Sequence, residues 1–141
     1  MCIRDRSLPI ESIKDWKSLL PNTQWINHYG PTEATVGCCI YPITLKALKQ
    51  VNSNSVPIGK ALQNVEFYIL DKNQLPVPFG TTGELYIGGD CLAHGYLHNE
   101  TLTQTRFIKN PFSSISSSRI YRTGDLVRLS LIHISEPTRP Y

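Results

Sequence analysis

Helical periodicity comes first in this chain, and short β-type runs dominate the remainder. Over residues 9–20, Ile10, Ile13 and Leu20 fall near one face of a helix, and Pro21 ends the pattern. The later apolar runs are only a few residues long and are bounded by turn-forming residues. This order predicts a mixed α/β chain, with an αβ edge followed by a β-rich, barrel-like subdomain.

The remaining elements follow from the same local patterns. A short helix is predicted over residues 100–107, where Asn99 is a suitable N-cap and Glu100 favours the first turn. Residues 120–128 are predicted to form a hairpin-like pair of strands, bent at Thr123-Gly124-Asp125. The other predictions are strands over 24–29, 36–43, 65–70 and 84–87, and surface connections over 44–55 and 110–118.

Charge and hydropathy argue against two classes of partner. The formal net charge is only +3, which does not predict binding to nucleic acid or to an anionic membrane. No apolar run approaches the length of a membrane span, and no signal peptide is visible. We therefore expect a cytoplasmic protein that binds neither nucleic acid nor membrane.

The cysteines favour a reducing compartment over a disulfide framework. Cys2 lies near the amino terminus; of the other three cysteines, Cys38 and Cys39 are adjacent and Cys91 stands apart from them, and their spacing does not match a zinc site. We expect these three thiols to fill the core.

Three short strings stand out in the chain, and the first and third carry residue types that bind nucleotides. The first, Asn27-His28-Tyr29-Gly30-Pro31-Thr32-Glu33, combines an aromatic ring, a glycine, a hydroxyl and a carboxylate around one turn. The second, Gly83-Glu84-Leu85-Tyr86-Ile87-Gly88-Gly89, is a short strand that enters a double glycine. The third, Tyr121-Arg122-Thr123-Gly124-Asp125, offers another carboxylate on a tight turn. Such groups are suited to holding a nucleoside triphosphate.

In this order, the three strings resemble the core motifs of the adenylation domains of non-ribosomal peptide synthetases, within the adenylate-forming superfamily. The resemblance covers residues 7–128 and implies part of that family's large amino-terminal domain. It implies an enzyme that converts ATP and an amino acid into aminoacyl-AMP and pyrophosphate. The acyl group would then pass to the phosphopantetheine thiol of a peptidyl carrier domain, with condensation domains of the parent synthetase as further partners.

The resemblance also implies roles in binding ATP. Asn27 would meet the base edge, and Tyr29 would lie against adenine, where stacking contributes about 1–3 kcal/mol. Gly30 would let the backbone approach the ligand closely. Thr32 would donate its hydroxyl to the α-phosphate, and Asp125 would accept hydrogen bonds from both ribose hydroxyls. Taken singly, Tyr29 also fits a half-buried strand position, and Asp125 also fits an ordinary hairpin turn.

Glu33 is implied to be the ligand of Mg²⁺ and, with Thr32, to take part in catalysis. Magnesium prefers hard oxygen ligands and usually takes one or two carboxylates alongside substrate phosphates. An alternative is that Thr32 caps a helix and Glu33 favours its dipole, and the two interpretations are compatible.

Three further positions, His28, Val36 and Gly37, are implied to line the pocket for the amino-acid side chain. His28 is the polar one, and an imidazole with an ordinary pKa of about 6.5 can become cationic beside an acidic ligand. The triplet resembles family pockets that take aspartate, so we expect a small acidic amino acid, with proline as the second choice. Alternatively, His28 merely packs against neighbouring strands.

The two ends of the chain differ in character from its middle. Residues 1–6 and 129–141 resemble translated sequencing-library adapters, so residues 7–128 are expected to be the native part, a partial AMP-binding domain. The family's phosphate-binding loop is expected before Ser7, and its catalytic lysine beyond Arg128. We therefore expect the chain alone to be inactive. The alternatives are an acyl-CoA ligase of the same superfamily and a non-catalytic nucleotide-binding remnant.

Overall fold

A computed structural model describes residues 8–49, 51, 54–129 and 134–138, with the backbone alone for Leu45 and for 134–138. The helices are α1 (Ile10–Leu19), α2 (Leu45–Lys49) and α3 (Glu100–Arg106), with a 3₁₀ helix at Thr32–Ala34. The strands are β1 (Trp25–Tyr29), β2 (Cys39–Ile43), β3 (Lys60–Ala61), β4 (Val65–Leu70), β5 (Thr82–Gly89), β6 (Phe107–Lys109), β7 (Arg119–Leu129) and β8 (Ile134–Thr138). The proposed adapter residues 1–6, 130–133 and 139–141 lie outside the described part of the chain.

Two antiparallel sheets organise the described residues, and the predicted mixed α/β class is confirmed. One sheet has the order β1-β2-β3, and the other has the order β4-β5-β7-β6 with β8 also paired to β7. The barrel-like part of the prediction is wrong, because the larger sheet is open among the described strands. β6 and β8 pair with opposite halves of β7, whereas the edge strand β4 pairs with β5 alone, so no strand closes the sheet.

The first helix packs on the smaller sheet through Ile10 and Ile13 of the predicted face, whereas Leu20 lies beyond the helix and is half exposed. Ile10 and Ile13 are buried in one cluster with Leu48 of α2 and residues of β2. Trp16 stacks on Trp25 of β1, with ring centroids 5.7 Å apart. Burial of an aliphatic side chain stabilises the fold by about 1.5–3 kcal/mol, so these contacts fix α1 against β1 and β2.

The stretch predicted as a surface connection over 44–55 contains the helix α2 instead. The side-chain oxygen of Thr44 accepts a hydrogen bond from the backbone N–H of Ala47 at 3.0 Å, which caps the helix. Leu48 is buried against α1 and β2. So short a helix has no periodicity to detect in the sequence, and tertiary packing of Leu48 stabilises it.

The main core joins the two sheets. The buried cluster consists of Ala34, Cys38, Cys39, Ile58, Ile69, Leu85, Ile87 and Val127. Cys91 packs against this cluster, and all three thiols are free. The prediction that they fill the core is therefore confirmed. No helix in the described residues is long and apolar enough to span a membrane.

The strand that carries the third motif differs from its prediction. β7 is one strand of 11 residues, not a bent pair. Where β5 advances from Glu84 to Tyr86, β7 advances from Leu126 to Arg122, so β7 carries two extra residues at this point. Gly124 takes a left-handed backbone there, with φ of 81°. The predicted turn is thus a β-bulge, a feature that bends a strand and redirects its side chains.

Candidate active site

The first motif begins on β1 and continues through the 3₁₀ helix into the loop before β2. Thr35 and Val36 in this loop have left-handed backbones, with φ of 57° and 64°. This conformation is rare for β-branched residues and is found mainly where surrounding structure enforces it. Because the loop extends through these residues, β2 begins at Cys39, later than the predicted start at Val36.

Strand geometry separates the predicted nucleotide-binding residues from the predicted pocket residue. Asn27 and Tyr29 are partly buried on one face of β1, and His28 is exposed on the other. The side-chain amide of Asn27 donates a hydrogen bond to the carbonyl oxygen of Pro57 at 2.8 Å. Asn27 therefore also holds the chain segment before β3, a structural role that the sequence did not predict.

The hydroxyl of Tyr29 donates a hydrogen bond to the carboxylate of Asp125, which joins the first motif to the third. Asp125 lies in the β7 bulge and is buried. Its backbone N–H donates to Oγ1 of Thr123 at 2.9 Å, and that hydroxyl donates to the carbonyl oxygen of Leu85 at 2.8 Å. The bulge thus orients Asp125 while Thr123 satisfies a carbonyl of the neighbouring strand.

Burial keeps the Tyr29 hydroxyl protonated. Desolvation is the largest cause that raises the pKa of Tyr29 well above its ordinary value, followed by the charge of Asp125 and the hydrogen bond to it. The hydroxyl therefore remains a hydrogen-bond donor to Asp125 across the physiological pH range.

Glu33 receives a hydrogen bond from outside all three motifs. The hydroxyl of Tyr96 donates to its Oε1 at 2.7 Å. Burial, the largest contribution, raises the pKa of Glu33, but hydrogen bonds from Tyr96, the backbone and Tyr121, with the charge of Arg106, together lower it below the ordinary value. Glu33 is therefore a carboxylate at neutral pH.

Thr32 is exposed beside this carboxylate and is the first residue of the 3₁₀ helix. The preceding residue, Pro31, occupies the N-cap position and makes no side-chain cap hydrogen bond. The alternative in which Thr32 acts as a helix cap is therefore wrong.

The conformation of the loop by itself accounts for the glycine at position 30, with no need for a bound ligand. A Cβ at this position would lie 2.7 Å from both the backbone N of Gly37 and the backbone O of Val36. Real Cβ atoms do not come so close to backbone atoms, so any other residue at position 30 would force the backbone of the loop to shift.

The three predicted pocket residues lie together. The imidazole of His28 covers Gly37 so closely that a Cβ on Gly37 would be 1.9 Å from Nε2 of His28. Val36 is next to them in the loop, with half of its surface exposed. The group presents one imidazole beside an apolar side chain and bare backbone.

The second motif supplies the central strand of the larger sheet. β5 pairs with β4 on one side and β7 on the other, and its interior residues are buried. This position accounts for its apolar residues.

Sequence reasoning missed Tyr96 and the linking role of Thr123. Thr123 lies inside the third motif, but its contact with Leu85 spans 38 positions and has no local sequence signal. Tyr96 follows Gly95 in a polar loop, and a glycine directly before an aromatic residue was the only local signal. Within the described residues, no group of three or more His, Cys, Asp and Glu side chains could hold a metal ion. Glu33 is therefore a single-carboxylate candidate, which suits Mg²⁺ shared with phosphate oxygens.

The sequence profile of one family, described as AMP-binding enzyme, matches residues 3–97, which is more than half of the chain. The chain belongs to the AMP-binding enzyme family. Several relatives of this AMP-binding chain are peptide synthetases. It is 49% identical over 108 residues to bacitracin synthase 3 of Bacillus licheniformis, covering 77% of this chain and 2% of that protein. It is 40% identical over 128 residues to malpinin synthetase of Mortierella alpina, covering 91% of this chain and 2% of that protein.

Solved structures show the same architecture. The AMP-binding chain is 27% identical to PA1221, an NRPS protein containing adenylation and PCP domains, with a TM-score of 0.83 over 95% of this chain and 27% of that one. The holo form of that protein, bound to a vinylsulfonamide inhibitor, gives a TM-score of 0.84 over 96% of this chain and 23% of that one. These matches confirm the prediction that the chain is part of an adenylation domain of the peptide-synthetase type. The chain spans only 2% of the length of each of the two synthetases named above.

Proposed function

We propose that this chain is the nucleotide-binding part of an enzyme that activates an amino acid. ATP and the amino acid would give aminoacyl-AMP and pyrophosphate, and the acyl group would pass to the phosphopantetheine thiol of a carrier domain. The observation that carries the proposal is the hydrogen bond from Tyr29 to Asp125, because it joins two motif residues that are 96 positions apart.

The proposed nucleotide site uses the buried side of β1 and the β7 bulge. Tyr29 lies against adenine, and the amide of Asn27 lies at the base edge. Asp125 accepts hydrogen bonds from the ribose hydroxyls, for which an ionised carboxylate is the stronger kind of acceptor. Thr32 donates to the α-phosphate. Gly30 holds the loop in the conformation that presents these groups.

Glu33 is proposed to bind Mg²⁺ together with phosphate oxygens of ATP. The ion would offset phosphate charge and expose the α-phosphorus to attack by the carboxylate of the amino acid. The lowered pKa of Glu33 supports this role, because the hydrogen bonds from Tyr96, the backbone and Tyr121, with the charge of Arg106, keep the carboxylate ionised and able to bind a metal ion.

The proposed substrate is a small acidic amino acid, aspartate in the first instance, and the second choice is proline, which is not acidic. His28, Val36 and Gly37 are proposed to line the side-chain pocket on the exposed side of β1. An imidazole is the polar group of this set, and in its cationic form it would pair with a carboxylate.

Peptidyl carrier and condensation domains of the same synthetase are the proposed partners. The two solved forms of a related NRPS protein contain a PCP domain beside the adenylation domain, which supports the first of these partners. The free cysteines of the described chain favour the cytoplasm, where thiols stay reduced.

The decisive experiment is amino-acid-dependent exchange of pyrophosphate into ATP by the full-length protein that carries this chain. Glu33→Gln is expected to lower turnover and raise the magnesium requirement, whereas Asp125→Ala is expected mainly to weaken ATP binding. Aspartate is expected to drive exchange best in a panel of amino acids. Parent-like behaviour of both variants would refute the site, and stronger exchange with leucine or phenylalanine would refute the role of His28.

Two comparisons separate the remaining alternatives. The isolated chain is expected to give no exchange of pyrophosphate into ATP, and robust exchange would show that no further residues are needed.

Amplification of the locus from source DNA is expected to replace residues 1–6 and 129–141 with other residues. A carrier domain further along the gene would support the synthetase. An early stop codon would support the non-catalytic remnant, and activity with fatty or aryl acids and coenzyme A would support the acyl-CoA ligase.

A further inference from the structure

The Glu33 carboxylate is tied to a tyrosine that belongs to none of the three motifs. The hydroxyl of Tyr96 donates to Oε1 of Glu33 at 2.7 Å, across 63 positions of the chain. The hydroxyl of Tyr121 lies 3.5 Å from that of Tyr96. Because this bond engages Oε1 from one side, the carboxylate retains acceptor capacity for a cation.

Tyr96 itself is held in one place by its own surroundings. Its backbone N–H donates to Oγ1 of Thr103 at 2.9 Å. Gly95 makes this approach possible, because a Cβ there would lie 2.4 Å from Cγ2 of Thr103. The ring of Tyr96 meets Phe107 edge to face, with centroids 5.8 Å apart. The hydroxyl is therefore presented from a fixed ring.

The backbone of the Glu33 loop is held by the same segment of chain. The N–H of Ala93 donates to the carbonyl oxygen of Glu33 at 2.8 Å, and the hydroxyl of Thr35 donates to the carbonyl oxygen of Cys91 at 2.6 Å. Arg119 donates in turn to the carbonyl oxygen of Ala93 at 3.2 Å. Because these hydrogen bonds fix the backbone, Glu33 can move only by rotation about its side-chain torsions. The hydrogen bond from Tyr96 restricts that rotation.

We propose that Tyr96 is a positioning residue that orients the Glu33 carboxylate toward the metal ion and phosphates. This inference rests on the proposed function, in which Glu33 binds Mg²⁺. Tyr96 contacts neither substrate nor metal in this arrangement. Its hydrogen bond holds the Glu33 carboxylate in one orientation before the ion binds. Hydrogen-bond partners of metal ligands generally act in this way.

The test uses the full-length protein with a non-hydrolysable ATP analogue, and Mn²⁺ as a paramagnetic probe of the magnesium site. Tyr96→Phe is expected to weaken Mn²⁺ binding about tenfold. Affinity for the analogue without metal is expected to stay within about twofold, because Tyr96 does not touch the nucleotide. In exchange assays, the magnesium requirement should rise while turnover at saturating magnesium is retained.

The matched control is Tyr68→Phe, which removes another 2.7 Å hydrogen bond from a tyrosine to a glutamate, Glu66, away from the site, together with a 3.1 Å hydrogen bond that the same hydroxyl accepts from Asn110. Its Mn²⁺ affinity should equal that of the parent protein. If Glu33→Gln weakens Mn²⁺ binding and Tyr96→Phe does not, the inference about Tyr96 is wrong and the proposed function stands. If Glu33→Gln has no effect either, the proposed role of Glu33 is wrong as well.

A second pair of variants decides the matter if Tyr96→Phe does not fold. Thr103 holds the backbone of Tyr96 without touching Glu33, so Thr103→Ala should loosen the ring and weaken Mn²⁺ binding, whereas Thr103→Ser should retain the parent affinity. Equal Mn²⁺ affinity in these two variants would overturn the inference.

Discussion

Two glycines in the loop between β1 and β2 have different neighbours. Substitution of one is therefore expected to affect the stability of the fold, and substitution of the other the choice of amino acid. A Cβ at Gly30 meets backbone atoms, so Gly30→Ala is expected to lower the free energy of unfolding by about 1–3 kcal/mol. A Cβ at Gly37 meets the end of the His28 side chain, which can rotate away. Gly37→Ala is therefore expected to change stability by about 0.5 kcal/mol or less, but to alter the choice of amino acid.

Urea denaturation of the purified chain and exchange by the full-length protein with an amino-acid panel test this pair. Equal losses of stability in the two variants would contradict the distinction. An unchanged amino-acid preference in Gly37→Ala would count against a pocket beside His28.

Tyr29 and Asp125 allow a test of a single hydrogen bond. Tyr29→Phe removes a donor from a buried carboxylate, and hydrogen bonds to charged groups contribute about 1.5–3 kcal/mol. The free energy of unfolding is expected to fall by about 2 kcal/mol, and ATP binding by the full-length protein should weaken. In the control Tyr86→Phe, the lost contact to Glu84 is 3.4 Å long, so a smaller change is expected. If the free energy of unfolding fell by similar amounts in both variants, the hydrogen bond from Tyr29 to Asp125 would contribute no more than the long contact of Tyr86.

Among the secondary-structure elements, the bulge in β7 determines where Asp125 points. Thr123 is buried there, and its hydroxyl both donates to Leu85 and accepts from the N–H of Asp125. Thr123→Val keeps the shape but removes both bonds, so a loss of about 2–4 kcal/mol in the free energy of unfolding is expected. Thr123→Ser keeps the hydroxyl and should lose less. Urea denaturation of the three proteins measures this, and equal stability of Thr123→Val and the parent would refute the role of the hydroxyl.

For the molecule as a whole, buried tyrosines predict sensitivity to alkali. Burial is the main cause that raises the pKa of Tyr29 and Tyr121 well above about 10, the value at which an exposed tyrosine ionises. The unfolded chain therefore releases these protons first as the pH rises. Their contribution to stability is complete below about pH 10, and it declines above that pH as conditions approach the raised pKa values of the folded state.

The comparison of urea denaturation at about pH 9 and about pH 11 measures this effect. Tyr121→Phe removes one of the ionising groups, so its loss of stability between the two pH values should be smaller than that of the parent by about 1.4 kcal/mol. An identical loss in both proteins would mean that Tyr121 ionises equally in the folded and unfolded chain.

Local patterns predicted the elements whose signals lie within a few residues. The helix α1 follows from its apolar spacing, and Asn99 caps α3 by accepting a hydrogen bond from the backbone of Leu102 at 3.0 Å. The three motifs predicted the family because the residues of each motif are neighbours in sequence. The short helix α2 escaped prediction because burial of Leu48, not periodicity, stabilises it.

The arrangement of the site depends on contacts that sequence spacing does not encode. Tyr29 reaches Asp125 across 96 positions and Tyr96 reaches Glu33 across 63, so both bonds depend on how the sheets pack and on the register of β7 against β5. A bulge, unlike a turn, cannot be recognised until the partner strand is known, since it is defined by a mismatch between two strands. The types of side chain in the candidate site can thus be recognised from the local order of residues. The orientation of each carboxylate arises only on folding, because the groups that hold it come from distant elements.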